Sequence, residues 1–180
     1  KFTERPRPPF ITSTLQQEAI RKLKWTAKRT MSVAQRLYEN GWITYMRTDS
    51  TTLSSQALKA ARTLISSNYG ANYVPAKERK YTTSTTGAQE AHEAIRPAGE
   101  VFKTLKEAGS QLGTDEYKLY ELIWKRTVAS QMKDALGERL RATFTVDKAE
   151  FVATGKSYLF QGFRLAYVEG NEDEEAALDL

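Results

Sequence analysis

The sequence predicts an α+β fold that is predominantly helical: a helix-turn-helix-like helical domain followed by a small antiparallel β segment. Two observations carry that prediction. Up to residue 136 the apolar residues recur three and four apart, the spacing of one helix face. Beyond Gly137 the period drops to two, as in strands with one covered face. The reading divides the chain into an extended linker over 1–12, a helical domain over 13–112, a long helix over 113–136, a β segment over 137–168 and an acidic loop or tail over 169–180.

In chain order, "RPRPP" is extended, because each proline fixes its own φ and restrains the residue before it. In "TSTLQQEAIRKLKW", Ser13 is the expected N-cap with Gln16 closing a capping box, and Leu15, Ala19 and Leu23 share a face. "TAKRTMSVAQRLYENG" starts at Thr26, lines up Ala27, Met31, Ala34, Leu37 and Tyr38, and stops at Asn40–Gly41. Its other face carries Lys28, Arg29, Gln35 and Arg36. Two short connected helices with basic outer faces suit a helix-turn-helix-like arrangement. "ITYMRT" alternates, placing Ile43, Tyr45 and Arg47 on one side if extended, and Asp49 and Ser50 turn the chain.

A third helix is expected in "SSQALKAARTLISSNYG", burying Leu58, Ala61, Leu64 and Ile65 and stopping at Gly70. Residues 71–90 read as polar loop, and "AQEAHEAIRP" as a short helix halted before Pro97. The long helix runs from about Thr114, with Thr114 or Asp115 as cap, to Met132, with Leu119, Leu122, Ile123 and Val128 inward. "RLRATFTVDKAEFVA" and "SYLFQGFRLAYV" then alternate as antiparallel strands, with a turn near Thr154–Lys156. So few strands are weak alone and want a partner sheet.

The chain has 180 residues, room for one domain or for two small pieces of a larger architecture. No apolar run nears the roughly 18 residues of a membrane helix, and no apolar h-region opens the chain. Cysteine is absent, which excludes a disulfide framework and a cysteine zinc site; His92 is the one histidine. The simplest location is a reducing cytoplasm. The net charge is +5, yet residues 169–180 hold six acids and no base. The remaining 27 bases face 16 acids, so residues 1–168 carry +11. Such a body points to a polyanionic partner, although a lysine-rich soluble surface gives the same count.

Tyr45 and Arg47 stand two apart in "GWITYMRTDS". A tyrosine, with an ordinary pKa of about 10, is a poor nucleophile unless fixed positive charge activates its electrophile. Arg47 can grip a phosphate and absorb transition-state charge, and Thr48, Asp49 and Ser50 can orient it. Attack on a phosphodiester would give a phosphotyrosine that stores the bond energy, so resealing needs no ATP. The chain has nine tyrosines, and a packing tyrosine is the alternative that spacing leaves open. On a helix, His92 and Arg96 would share a face and suit a phosphate oxygen, with Glu93 tying the loop down; a surface histidine is the alternative. No carboxylates outside the acidic end are spaced for a metal, and no glycine loop cradles phosphate.

Together, "GWITYMRTDS" and "AHEAIRP" resemble the bacterial type IA DNA topoisomerases, in the topoisomerase I branch rather than topoisomerase III, whose motif has proline after the tyrosine. "PFITSTLQQEA" and "AKRTMSVAQRLYENG" are similar to the same family's approach to its active site. The resemblance implies an isomerase that cleaves one strand through a 5′-phosphotyrosine link, passes the other and relaxes negatively supercoiled DNA. It implies that Tyr45 is the nucleophile, that Arg47 stabilises the scissile phosphate and that His92 contacts the phosphate. Thr48, Asp49, Ser50, Glu93 and Arg96 take supporting roles.

The family also carries an N-terminal Toprim domain that binds Mg²⁺ through acidic residues, and no such segment occurs here. The expectation is therefore an internal piece: the helical domain bearing the tyrosine, plus part of the β-rich gate arch. Its partners would be single-stranded DNA and the absent Toprim and arch domains, with no membrane and no cofactor of its own, at the nucleoid. Alone, it is expected not to relax plasmid DNA. Two rival readings are a non-catalytic winged-helix DNA-binding module and a structural hinge that binds only partner domains.

Overall fold

The computed structural model describes residues 1–81, 93–168 and 170. Among the described residues there are five α-helices and three strands, a short first strand preceding the helices and the hairpin following them. The axis of the helical body is α5 (Thr114–Ser130), most of whose side chains are buried from Leu119 to Ser130. The other helices pack around it: α1 (Thr12–Leu23), α2 (Ala27–Glu39), α3 (Ser55–Asn68) and α4 (Leu105–Gln111). Leu119, Leu122, Ile123 and Val128 point inward as their spacing requires.

Local chemistry explains most of the boundaries. The Thr26 side chain accepts from the Arg29 amide at the start of α2, and Gly41 takes φ +72° just past its end. The Ser54 side chain likewise caps α3, buried along Ala57, Leu58, Ala61 and Ile65, and Gly70 stops it at φ +99°. Helix α1 begins at Thr12, one residue before the expected Ser13 cap. Thr14 Oγ1, not Gln16, accepts from the chain entering it, at 3.0 Å from the Ile11 amide. The α5 cap is Gly113 rather than Thr114 or Asp115. Helix α4 escaped the sequence reading although Thr104 and Glu107 form a full capping box.

The β segment is simpler than predicted and ends earlier, at Phe160. Strands β1 (Phe2–Glu4), β2 (Ala135–Val146) and β3 (Ala149–Phe160) make one antiparallel sheet in that order. Part of the expected 1–12 linker is thus a strand, with Phe2 opposite Gly137. The turn lies at Asp147–Lys148, with Asp147 at φ +54°, not at Thr154–Lys156, which lie inside β3. Residues 162–165, expected in a strand, form a 3-10 turn. Beyond its base the hairpin is exposed on both faces, with Leu140 at 72% and Phe144 at 56%.

The base of the hairpin is bonded to the body. Glu4 Oε2 accepts from the Tyr158 hydroxyl at 2.8 Å and from Arg164 Nη1 at 3.2 Å. Arg79 pairs with Asp134, and its Nε donates to the Met132 carbonyl at 2.7 Å. Tyr81 donates to the Ser130 carbonyl at 2.9 Å; burial pushes its pKa up to about 12, so it remains a donor. The expected acidic loop or tail lies outside the described residues except for Gly170, whose amide donates to buried Glu18 at 2.8 Å.

Candidate active site

The segment from Trp42 to Thr52 is a loop between α2 and α3, held from three directions. At its start Trp42 is buried edge-on against Tyr120, with Lys103 Nζ 4.0 Å from the Trp42 ring centroid. Ile43 bridges Pro97, while the Thr44 amide donates to the Arg96 carbonyl at 2.9 Å. The Thr44 hydroxyl donates to Ala94 at 2.7 Å and accepts from the Arg96 amide at 3.0 Å. On the exit side, the Ala94 amide donates to the Thr52 carbonyl at 2.9 Å. Residues 94–98 thus form a strap across the loop.

The third hold is the first residue of α1. Thr12 Oγ1 donates to the Met46 carbonyl at 2.7 Å and accepts from the Thr48 amide at 2.9 Å. The Thr12 amide, one of the helix-start donors without an intrahelical partner, donates to the Thr48 carbonyl at 3.0 Å. Met46 is 1% exposed and anchors the loop in the core.

With the loop so fixed, Tyr45 and Arg47 flank buried Met46 and are themselves exposed, Tyr45 at 40%. The Tyr45 ring meets the ring of Tyr38, at the end of α2, edge to face at 5.2 Å. A phenol and a guanidinium on the solvent side of a rigid loop can approach a phosphate together.

The comparisons with known proteins fit this arrangement. A family model described as DNA topoisomerase matches residues 1–180. The chain belongs to the DNA topoisomerase family. Its sequence is 55% identical to DNA topoisomerase 1 of Mycolicibacterium smegmatis over 97% of the chain and 20% of that protein. Against DNA topoisomerase 1 of Synechococcus elongatus it is also 55% identical, over 98% of the chain and 20% of that protein. The solved structure of full-length topoisomerase I from Thermotoga maritima matches with a TM-score of 0.78 at 43% identity, over 92% of this chain and 27% of that one. The topoisomerase chain described here therefore spans about a fifth of the length of those relatives. The resemblance to bacterial type IA topoisomerases read from its motifs is the correct family.

Within this topoisomerase-family chain the predicted residues separate into two groups. Tyr45, Arg47 and Asp49 are exposed on the loop. Thr48 and Ser50 turn inward: Thr48 Oγ1 accepts from the Ser50 amide at 3.1 Å and Ser50 Oγ from the Thr52 amide at 3.2 Å. Both serve the loop's own backbone. Ile43, expected on the Tyr45 side, is buried, so the segment is bent and not a continuous strand.

His92 lies outside the described residues. Residues 93–97 are non-helical, where the sequence predicts a short helix halted before Pro97. Arg96 is 7% exposed and spent on protein groups: Nη2 donates to Glu93 Oε2 at 2.6 Å and Nη1 to the Pro97 and Gly99 carbonyls at 2.8 and 3.1 Å. Glu93 Oε1 accepts from the Ser54 amide at 2.6 Å. Burial pushes the Glu93 carboxyl up, but the bonds from Arg96 and Ser54 outweigh it and hold the group below the usual carboxylate range.

Sequence reasoning missed Thr12, Tyr38 and Thr44. By spacing Tyr38 belongs to a packing stripe, and Thr12 stands ahead of the expected Ser13 cap. Only their long-range partners set them apart. Among the described residues no three acidic or imidazole side chains are grouped to hold a metal.

Proposed function

We propose that this chain carries the strand-cleaving tyrosine of a type IA DNA topoisomerase acting on single-stranded DNA. The Tyr45 phenol gives up its proton and its oxygen attacks a backbone phosphorus. The Tyr45 oxygen–phosphorus bond forms and the bond from phosphorus to the 3′ sugar oxygen breaks. That oxygen takes up a proton and leaves as a 3′ hydroxyl, with the 5′ phosphate held on the protein. Reversal reseals the strand without ATP, because the phosphotyrosine conserves the bond energy.

Arg47 offsets charge on the phosphate oxygens, and His92 adds a phosphate contact in the same reading. Glu93 and Arg96 support the loop from beneath. Mg²⁺ belongs to the Toprim domain of the longer protein, and the Toprim and arch domains are this chain's partners. The longer enzyme would pass the intact strand and relax negatively supercoiled DNA in the bacterial cytoplasm, at the nucleoid. No helix among the described residues is long and apolar enough to cross a membrane.

One observation carries the proposal: Tyr45 and Arg47 stand exposed on either side of a fully buried anchor, in a loop whose flanking backbone is bonded on both sides. The test is to mix the chain with labelled single-stranded DNA and a separately supplied Toprim domain. A covalent adduct lost on Tyr45→Phe supports the reading. Salt-sensitive binding without adduct supports the winged-helix alternative, and no binding supports a structural hinge.

A further inference from the structure

We propose that Thr12 is a positioning residue for strand cleavage: its single hydroxyl fixes the backbone on both sides of Arg47. The inference rests on the assignment of Tyr45 and Arg47 to the reacting phosphate. Thr12 lies 34 and 36 residues from the two positions it bonds. Its proton is shared between the Met46 carbonyl at 2.7 Å and the Thr48 carbonyl at 3.1 Å, and its oxygen accepts from the Thr48 amide at 2.9 Å. With the Thr12 amide also on the Thr48 carbonyl at 3.0 Å, one residue satisfies both backbone groups of Thr48 and the carbonyl of Met46.

Arg47 sits between those two residues with its side chain exposed, so the backbone on either side of it sets where it starts from. Two peptide planes flank it, and Thr12 bonds to both, at the Met46 carbonyl and at the Thr48 amide. Tyr45 is joined to the first of these through Met46. Because Thr12 also opens α1, the helix transmits its rigidity to the loop. Displacement of a reacting group by about 1 Å is enough to cost about 100-fold in rate.

The test compares Thr12→Val, which keeps the shape and loses the hydroxyl, with Thr12→Ser, which keeps it. Two readouts are needed. The first is amide hydrogen exchange in the 180-residue chain. In Thr12→Val the Thr48 amide should exchange about tenfold faster or more, while the Leu58 and Ala94 amides keep their protection. The second is single-turnover cleavage of labelled single-stranded DNA with the Toprim domain supplied. Thr12→Val should cleave about 10- to 100-fold more slowly with unchanged DNA affinity, and Thr12→Ser should restore the rate.

A Thr12→Val protein that cleaves at the parent rate, or whose Thr48 amide stays protected, overturns the proposal. So does a rate loss that Thr12→Ser shares. If Thr12→Val does not fold, Thr12→Cys carries the same predictions with a weak hydrogen-bonding thiol. The exchange readout does not depend on the chemistry. Cleavage that persists in Tyr45→Phe would remove the assignment of the nucleophile and leave the Thr48 amide to decide the clamp.

Discussion

Arg96 and Glu93 meet at 2.6 Å beneath the loop that presents Tyr45, and the second oxygen of Glu93 holds the amide of Ser54, the N-cap of α3. One carboxylate therefore ties the strap over residues 94–98 to the start of α3. Glu93→Gln exchanges a charged acceptor for a neutral one opposite a buried guanidinium, and should lower stability by about 1–3 kcal/mol. The pair also predicts a pH dependence. The folded pKa of Glu93 is depressed, so its contribution is complete above the unfolded carboxylate pKa and lost as pH falls through the lower folded value. Thermal unfolding followed from neutral to acid pH should show a fall that Glu93→Gln reduces.

Tyr45→Phe and Met46→Ala should separate chemistry from folding at adjacent positions. Tyr45 is 40% exposed, so removing its hydroxyl should leave stability within about 0.5 kcal/mol of the parent. Met46 is 1% exposed, and truncating it should cost about 2–5 kcal/mol. Chemical denaturation of the two variants checks the contrast.

The ion pairs that fasten α2 to α5 should matter little. Arg29 holds Asp115 at 2.8 Å and Arg36 holds Glu116 at 2.6 Å, all four partly in solvent. Arg36→Ala should cost no more than about 1 kcal/mol, and that difference should shrink as salt is added. A salt series of denaturation curves measures it.

Gly162→Ala should be damaging at a position that is already buried. Gly162 adopts φ +52°, and a Cβ there would collide with the Lys133 and Asp134 backbone. Strain and crowding together predict a loss of about 2–4 kcal/mol, read by thermal unfolding.

All the helices but α4 were legible because each wrote its buried face in spacing, and α2 and α3 wrote their stops in glycine. The sheet was less so. Three residues of β1 between basic and proline-rich neighbours carry no period, and only pairing with β2 makes them a strand. Gly155 attracted the turn, while the chain turned at Asp147–Lys148, where an aspartate accepts the left-handed conformation. At the site, the motifs identified Tyr45 and Arg47, but alternation over Ile43–Arg47 failed because Ile43 is drawn into a bridge with Pro97. Arg96 looked like a phosphate ligand from its neighbours in sequence. Its partners Glu93, Pro97 and Gly99 lie in an irregular segment that no helical periodicity foretells.

The most direct test is to trap the chain on single-stranded DNA in the presence of the Toprim domain, digest the product and map the nucleotide-bearing peptide by mass spectrometry. The account predicts a 5′-phosphonucleotide on Tyr45 and a free 3′ hydroxyl on the released strand. A nucleotide on any other side chain, or an adduct that survives in Tyr45→Phe, would contradict it.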